Sequence, residues 1–202
     1  MIARLRRRRT LGDELAAAVL KRAKDIPTFT TQEELQALHY LAMQCHEGAN
    51  ALEIGSYLGA SACYLAASLV GRKGKLICID TWANETMPEG TRDTFAEFQR
   101  NTAEVSNIIT TIKKRSESIE ESELPSSIAL AFIDGDHSYD AVKCDVKLLA
   151  PRIEEAGVLA FHDIYYFEGV SRVVGELLIT GKWRAAGQIS NLIWLKNQHF
   201  TQ

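Results

Sequence analysis

Four stretches of this chain are apolar for the length of a β-strand and then stop abruptly at a glycine turn or an acid. They are Asn50-Ala-Leu-Glu53-Ile-Gly55, Lys75-Leu-Ile-Cys-Ile-Asp80, Ile128-Ala-Leu-Ala-Phe-Ile-Asp134 and Gly157-Val-Leu-Ala-Phe-His162-Asp163. Runs without alternation suit strands buried on both faces, the condition of a parallel sheet covered by helices on each side. The segments between them have helical character. Strands are expected near 51–55, 75–80, 108–113, 128–134 and 157–163, and helices near 59–70, 91–103, 138–150 and 168–180. That alternation predicts an α/β fold with a Rossmann-like, doubly wound sheet and helices on both faces. After Gly181 the pattern changes to two short strand-like runs, Trp183 to Ile189 and Leu192 to Lys196. Ser190-Asn191 between them reads as a hairpin turn that would end the sheet with an antiparallel edge strand.

Ahead of this core, residues 12–25 and 31–47 read as helices, the second opened by the capping-box pattern Thr31-Gln-Glu-Glu34. The expected organisation is a single domain over 1–202, with an N-terminal helical extension (1–49) packed as a lid or interface and an α/β core over 50–197. A chain of 202 residues, 46% of them hydrophobic, has enough apolar material for one sizeable core. A net charge of −3 gives no general pull toward nucleic acid or membrane. Cys45, Cys63, Cys78 and Cys144 lack metal-ligand spacing and read as reduced, unbridged thiols. The arginines within residues 4–9 read as a solvated tail. With no apolar stretch long enough for export or a membrane span, the expected location is cytoplasmic.

Ligands of open parallel sheets bind at the carboxyl ends of the strands, where these polar residues fall. If the four strands are neighbours, Asp80, Asp134, Asp136 and Asp163 share one edge. Two unit charges about 4 Å apart repel by about 4 kcal/mol at an effective dielectric of about 20, so the cluster needs a cation or must hold protons. In the turn Gly55-Ser56-Tyr57-Leu58-Gly59, Tyr57 replaces the middle glycine of a dinucleotide fingerprint. A small carboxylate or ribose at the following helix N-terminus fits better than a pyrophosphate. Asp80, closing the next strand, can accept from both hydroxyls of a ribose.

The four motifs Glu53-Ile-Gly-Ser-Tyr-Leu-Gly-Ala-Ser, Ile79-Asp-Thr-Trp82, Phe132-Ile-Asp-Gly-Asp-His-Ser-Tyr139 and Gly157-Val-Leu-Ala-Phe-His-Asp163 together resemble class I S-adenosylmethionine-dependent methyltransferases. The likeness runs over about residues 50–197 and is greatest to the bacterial small-molecule O-methyltransferase branch, which includes antibiotic- and sugar-modifying enzymes and is similar to catechol O-methyltransferase. It implies a seven-stranded, mostly parallel sheet with an antiparallel last strand. It further implies that Glu53, Gly55, Ser56, Tyr57, Gly59 and Ser61 surround the methionine end of S-adenosyl-L-methionine, that Asp80 holds its ribose, that Trp82, Ser116 and Glu117 border the adenine, and that Asp134 closes the pocket. In metal-dependent relatives, positions matching Asp134, His162 and Asp163 hold a divalent ion. Here His162 stands where many of them have an acid. Imidazole suits Mn²⁺, Fe²⁺ or Zn²⁺ better than Mg²⁺, and the choice of ion stays open.

The expected reaction is methyl transfer to a hydroxyl of a small-molecule acceptor, with His137 as the proton acceptor and Asp136 as the alternative base, unless these two merely cap the next helix. The resemblance also allows a homo-oligomer built through the N-terminal helices. Two other functions remain in play, a nicotinamide-dependent oxidoreductase and a non-catalytic cofactor-binding scaffold.

Overall fold

The computed structural model describes residues 10–85 and 89–198; the arginine-rich start and part of the loop around Pro88 lie outside the described residues. Helices α1 (Leu11–Ala23) and α2 (Gln32–Met43) each open on a threonine N-cap. Thr10 with Asp13, and Thr31 with Glu34, exchange the reciprocal side-chain-to-amide bonds of a capping box. Strands and helices then alternate through β1 (Asn50–Ile54), α3 (Ala60–Leu69), β2 (Lys75–Asp80), α4 (Phe95–Asn101), β3 (Ile109–Lys113), β4 (Ile128–Ile133), α5 (Tyr139–Leu149), β5 (Ile153–Phe161) and α6 (Glu168–Ile179), and close with β6 (Trp183–Ile189) and β7 (Leu192–Asn197).

The seven strands pair in the order β3-β2-β1-β4-β5-β7-β6, parallel except where β7 pairs with β5 and β6. The expected hairpin is present, but the antiparallel strand is not at the edge. β6 runs parallel to β5 one strand-width away, and β7 fills the gap between them. That slot buries Leu192 and Leu195 completely, whereas β6 carries exposed Arg184 and Ala185. β5 starts at Ile153, earlier than its apolar run, because Glu155 and Ala156 at this end are exposed and give no hydrophobic signal.

β4 lies at the centre of the sheet and is buried along its whole length. Leu130 and Phe132 face the cluster formed with α1, α2 and α3, while Ala131 and Ile133 face the one formed with α5 and α6. Fully burying such a side chain as Leu or Phe is worth about 1.5–3 kcal/mol, so a strand that feeds two cores resists replacement by polar residues. All ten residues of α3 are buried between the sheet and the two N-terminal helices, which explains its run of Ala, Ser and Cys: small side chains let three layers approach.

The register decides where the site lies. Ile54 pairs with Ile79 and Ile133, and Ile133 pairs with Phe161. The next residue on each strand, Gly55, Asp80, Asp134 and His162, therefore stands level with the others along the carboxyl edge.

Candidate active site

A cavity of about 810 Å³ opens along that edge, roofed on one side by Pro27 to Thr30 from the loop between α1 and α2. Gly55 begins the turn beneath it at φ +86°, and a Cβ there would lie 2.0 Å from the Asp134 carbonyl oxygen, so only glycine allows the ends of β1 and β4 to approach this closely. Asp80 then ties the turn to β2. Its Oδ2 accepts from the amides of Ser56 at 2.7 Å and Tyr57 at 2.9 Å, and its Oδ1 from that of Trp82 at 2.6 Å. Gly59, at φ +91°, is the N-cap of α3 and supplies no capping side chain, so the first α3 amides, beside cavity-lining Ala60 and Ser61, stay open to an anion.

Two predicted cofactor contacts stand elsewhere. Glu53 lies behind the cavity wall, fully buried, its Oε2 accepting from the Ser56 hydroxyl at 2.6 Å and its Oε1 without a hydrogen-bond partner among the described residues. Burial pushes its carboxyl up to about 7 against the pull of the Ser56 hydroxyl. Its role is to brace the turn from below. Trp82 does not line the cavity either. With φ at +49°, the chain aims its indole into the core, where it packs on Phe95 and Phe98 with ring centroids 4.8 and 4.9 Å away. The apolar area of an indole outweighs its single polar handle there, and Nε1 finds no hydrogen-bond partner among the described residues. Ser116 and Glu117, in a 3-10 turn after β3, do line the cavity, as do Ser56, Tyr57 and Ser61.

At the other end, Asp134, His137, His162 and Asp163 converge. His162 is buried, with Nδ1 3.4 Å from Asp134 Oδ1 and 3.3 Å from Asp163 Oδ1. Its Nε2 lies 3.1 Å from Oε2 of Glu34, a buried residue of α2. Burial alone would push the imidazole pKa down; Asp134, Asp163 and Glu34 outweigh it and raise it to about 11. Burial would likewise raise Asp134, but His137 and His162 bring it below the usual carboxylate range. His137 Nε2 lies 3.4 Å from Asp134 Oδ1 and 3.6 Å from Asp163 Oδ2, and its ring stacks on Phe167 with centroids 4.4 Å apart.

Asp136, the alternative base, is committed elsewhere. It accepts from the Ser138 amide at 2.8 Å, and that bond holds its pKa low, while Ser138 in turn caps α5. Asp136 thus holds the turn just ahead of α5, whose cap is Ser138.

The candidate ligand atoms of Asp134, His162 and Asp163 all lie within 4.8 Å of one another. Two carboxylates and an imidazole nitrogen are a plausible donor set for a divalent ion. The far nitrogen of the imidazole rests on a carboxylate, the arrangement that orients metal-binding histidines. Neutralising three acids around one histidine takes either a proton on the imidazole or a metal ion in its place, and the residues fit both. Glu34 is the member that sequence reasoning missed. Its capping-box signature was visible, but nothing local shows that the same carboxylate reaches β5 or that its Oε1 accepts from the Asn191 amide at 2.7 Å.

Residues 52–164 match the family of methyltransferase domains. No curated protein sequence matches the chain. Among solved structures, the chain is similar to a Corynebacterium glutamicum protein (TM-score 0.67, 16% identity, 95% of this chain and 93% of that one covered). It is also similar to an O-methyltransferase from Bacillus cereus in complex with SAH (0.65, 17%, 92% and 91%). A third is the O-methyltransferase TomG from Streptomyces achromogenes, involved in tomaymycin synthesis and solved with SAM (0.64, 15%, 93% and 91%). At these identities the likeness is one of fold.

Proposed function

The chain belongs to the methyltransferase-domain family that its residues 52–164 match, and from that premise we propose that it transfers the methyl group of S-adenosyl-L-methionine to a hydroxyl oxygen of a small-molecule acceptor. The observation that carries this reading is the division of one cavity into two ends, a glycine turn with Asp80 at one and the Asp134–His137–His162–Asp163 cluster at the other. The two neighbours solved with SAH and SAM support the cofactor.

In this reading the open amides of α3 and the Ser61 hydroxyl receive the methionine carboxylate and amine, and the turn from Gly55 to Tyr57 carries the sulfonium toward β4. Asp80 has about four acceptor sites and uses three on backbone amides, so it both shapes the turn and offers a remaining lone pair to the ribose. Ser116 and Glu117 border the base. The acceptor lies at the other end, under Phe29, Tyr166 and Phe167, three exposed aromatic side chains that line the cavity and suit an acceptor with an apolar or aromatic body.

A lone pair of the acceptor oxygen attacks the methyl carbon as the carbon–sulfur bond breaks toward sulfur, and the hydroxyl proton passes to His137. Imidazole is the side chain suited to taking a proton near neutral pH. Asp134 and Asp163 stabilise the imidazolium that results. Asp134, His162 and Asp163 are the residues that would hold a divalent ion, which when bound would lower the pKa of the acceptor hydroxyl and orient its oxygen.

Among the described residues no helix is long and apolar enough to cross a membrane, in keeping with a small-molecule enzyme of the cytoplasm. The nicotinamide-dependent alternative loses its ground with the family assignment, and a non-catalytic scaffold is what an activity assay tests. Calorimetry with S-adenosylhomocysteine and with NAD is the direct experiment. Micromolar binding of the former alone is expected; binding of NAD with none of S-adenosylhomocysteine would overturn the reading.

A further inference from the structure

The contacts around His162 are uneven on its two sides. Toward the cavity, Nδ1 lies 3.3 Å from Asp163 Oδ1 and 3.4 Å from Asp134 Oδ1, and His137 Nε2 stands 3.6 and 3.4 Å from the same two carboxylates. Charge-assisted hydrogen bonds are normally about 2.7–2.9 Å long, so these side chains stand around a shared centre rather than bonding one another closely. Away from the cavity, Nε2 lies 3.1 Å from Glu34 Oε2.

Glu34 is 1% exposed and stands behind His162, outside the cavity that Asp134, His162 and Asp163 line. The Thr31 amide and hydroxyl and the Asn191 amide hold its carboxylate in place, and Phe132 meets the imidazole edge-on. An ionised carboxylate only accepts hydrogen bonds, so Nε2 keeps its proton on Glu34, and the lone pair of a neutral imidazole falls on Nδ1. That nitrogen faces Asp134 and Asp163. A lone pair aimed at two carboxylates is repelled unless a cation lies between them.

We propose that Glu34 is a positioning residue for a metal ion: it fixes His162 in the tautomer that coordinates through Nδ1, and the site so formed selects an imidazole-binding ion such as Co²⁺ or Zn²⁺ over Mg²⁺. The inference rests on the metal-assisted form of the proposed function. Imidazole suits the later transition ions, whereas Mg²⁺ favours oxygen donors, and a carboxylate on the far ring nitrogen makes the ligating one more basic. Glu34 belongs to α2, outside the residues 52–164 that match the methyltransferase domain. The N-terminal helices therefore set a property of the site that the domain core alone does not.

The test measures binding of Mg²⁺, Mn²⁺, Co²⁺ and Zn²⁺ by calorimetry to the full chain, to Glu34→Gln and to Thr31→Ala, and reads the histidine ring nitrogens by nitrogen-15 NMR. The wild type should bind Zn²⁺ at least about a hundredfold tighter than Mg²⁺, with Mn²⁺ between them. Zn²⁺ should move the Nδ1 resonance of His162 while Nε2 keeps its proton. Glu34→Gln should lose about ten- to a hundredfold in Zn²⁺ affinity, the usual cost of removing such a partner, and little in Mg²⁺ affinity. Thr31→Ala weakens the same helix cap but leaves the carboxylate, so it should bind both ions as the wild type does. Equal binding of Zn²⁺ and Mg²⁺ by the wild type, or coordination through Nε2, would overturn the proposal without any variant. So would full Zn²⁺ affinity in a folded Glu34→Gln, or an equal loss in Thr31→Ala, which would make the role merely structural. If Glu34→Gln does not fold, the two wild-type measurements decide alone. A wild type that binds none of the four ions would remove the metal from the proposed function, and this inference with it, while S-adenosylhomocysteine binding would still judge the methyl-transfer reading.

Discussion

Glu34→Ala is the substitution whose effect the structure specifies most fully. The carboxylate is buried and holds four donors from three parts of the chain: the Thr31 amide and hydroxyl, both at 2.8 Å, the Asn191 amide at 2.7 Å, and His162 Nε2 at 3.1 Å. Losing an N-cap arrangement costs about 0.5–2 kcal/mol, an unpaired buried amide about 1–3 kcal/mol, and a hydrogen bond to a charged group about 1.5–3 kcal/mol. These losses share one site and do not add in full, so the expected destabilisation is about 3–5 kcal/mol, the range for removing one partner of a buried ion pair. At about 2–4 °C per kcal/mol for a domain of this size, the melting temperature should fall by about 6–20 °C. Glu34→Gln keeps an acceptor and the volume, and should lose less than half as much. Urea and thermal unfolding of the three proteins at pH 7 check this. The pH dependence gives a second test. Burial raises the Glu34 carboxyl, but the Thr31 amide and His162 outweigh it and leave its folded pKa below its ordinary value. A depressed acid contributes stability above its unfolded pKa and loses it as pH falls through the folded one. The gap between wild type and Glu34→Gln should therefore be full at pH 6 and narrow below the ordinary glutamate range. An unfolding free energy for Glu34→Ala within about 1 kcal/mol of wild type, the error of such extrapolations, would refute the claim that this carboxylate ties α2 to β5 and β7.

Asp80→Ala should weaken S-adenosylhomocysteine binding by about 1–3 kcal/mol, seen by calorimetry; an unchanged dissociation constant in a folded variant would remove Asp80 from the site. A chelator should abolish methyl transfer with cofactor affinity nearly intact, and Mn²⁺ or a similar ion should restore it, more weakly in acid because a ligating His162 must be neutral; full activity of a metal-free sample would leave His137 acting alone. Glu53→Gln should raise stability at pH 8 by about 3 kcal/mol, as the folded pKa of about 7 stands above the ordinary 4.5. The cost of ionising Glu53 is absent below pH 4.5 and grows through pH 7, so the variant and wild type should converge in acid, and parallel pH profiles would refute the assignment.

Much of the site was legible because a strand buried on both faces announces itself residue by residue. A continuous apolar run fixes where β1, β2, β4 and β5 lie, and the first residues past each run must then be at the sheet edge, which brings Gly55, Asp80, Asp134, His162 and Asp163 together. Local chemistry also announced the capping box at Thr31 and the Ser190-Asn191 turn. The tertiary structure decided what depends on partners distant in the chain. Whether the indole of Trp82 faces the cavity or the core is set by Phe95 and Phe98 on α4, and the inner position of β7 by the gap that β6 leaves beside β5. Glu34 becomes a partner of His162 across 128 positions. Periodicity and spacing report each residue's own backbone and burial, whereas the charge of His162 is set by groups that only packing brings within a few ångströms.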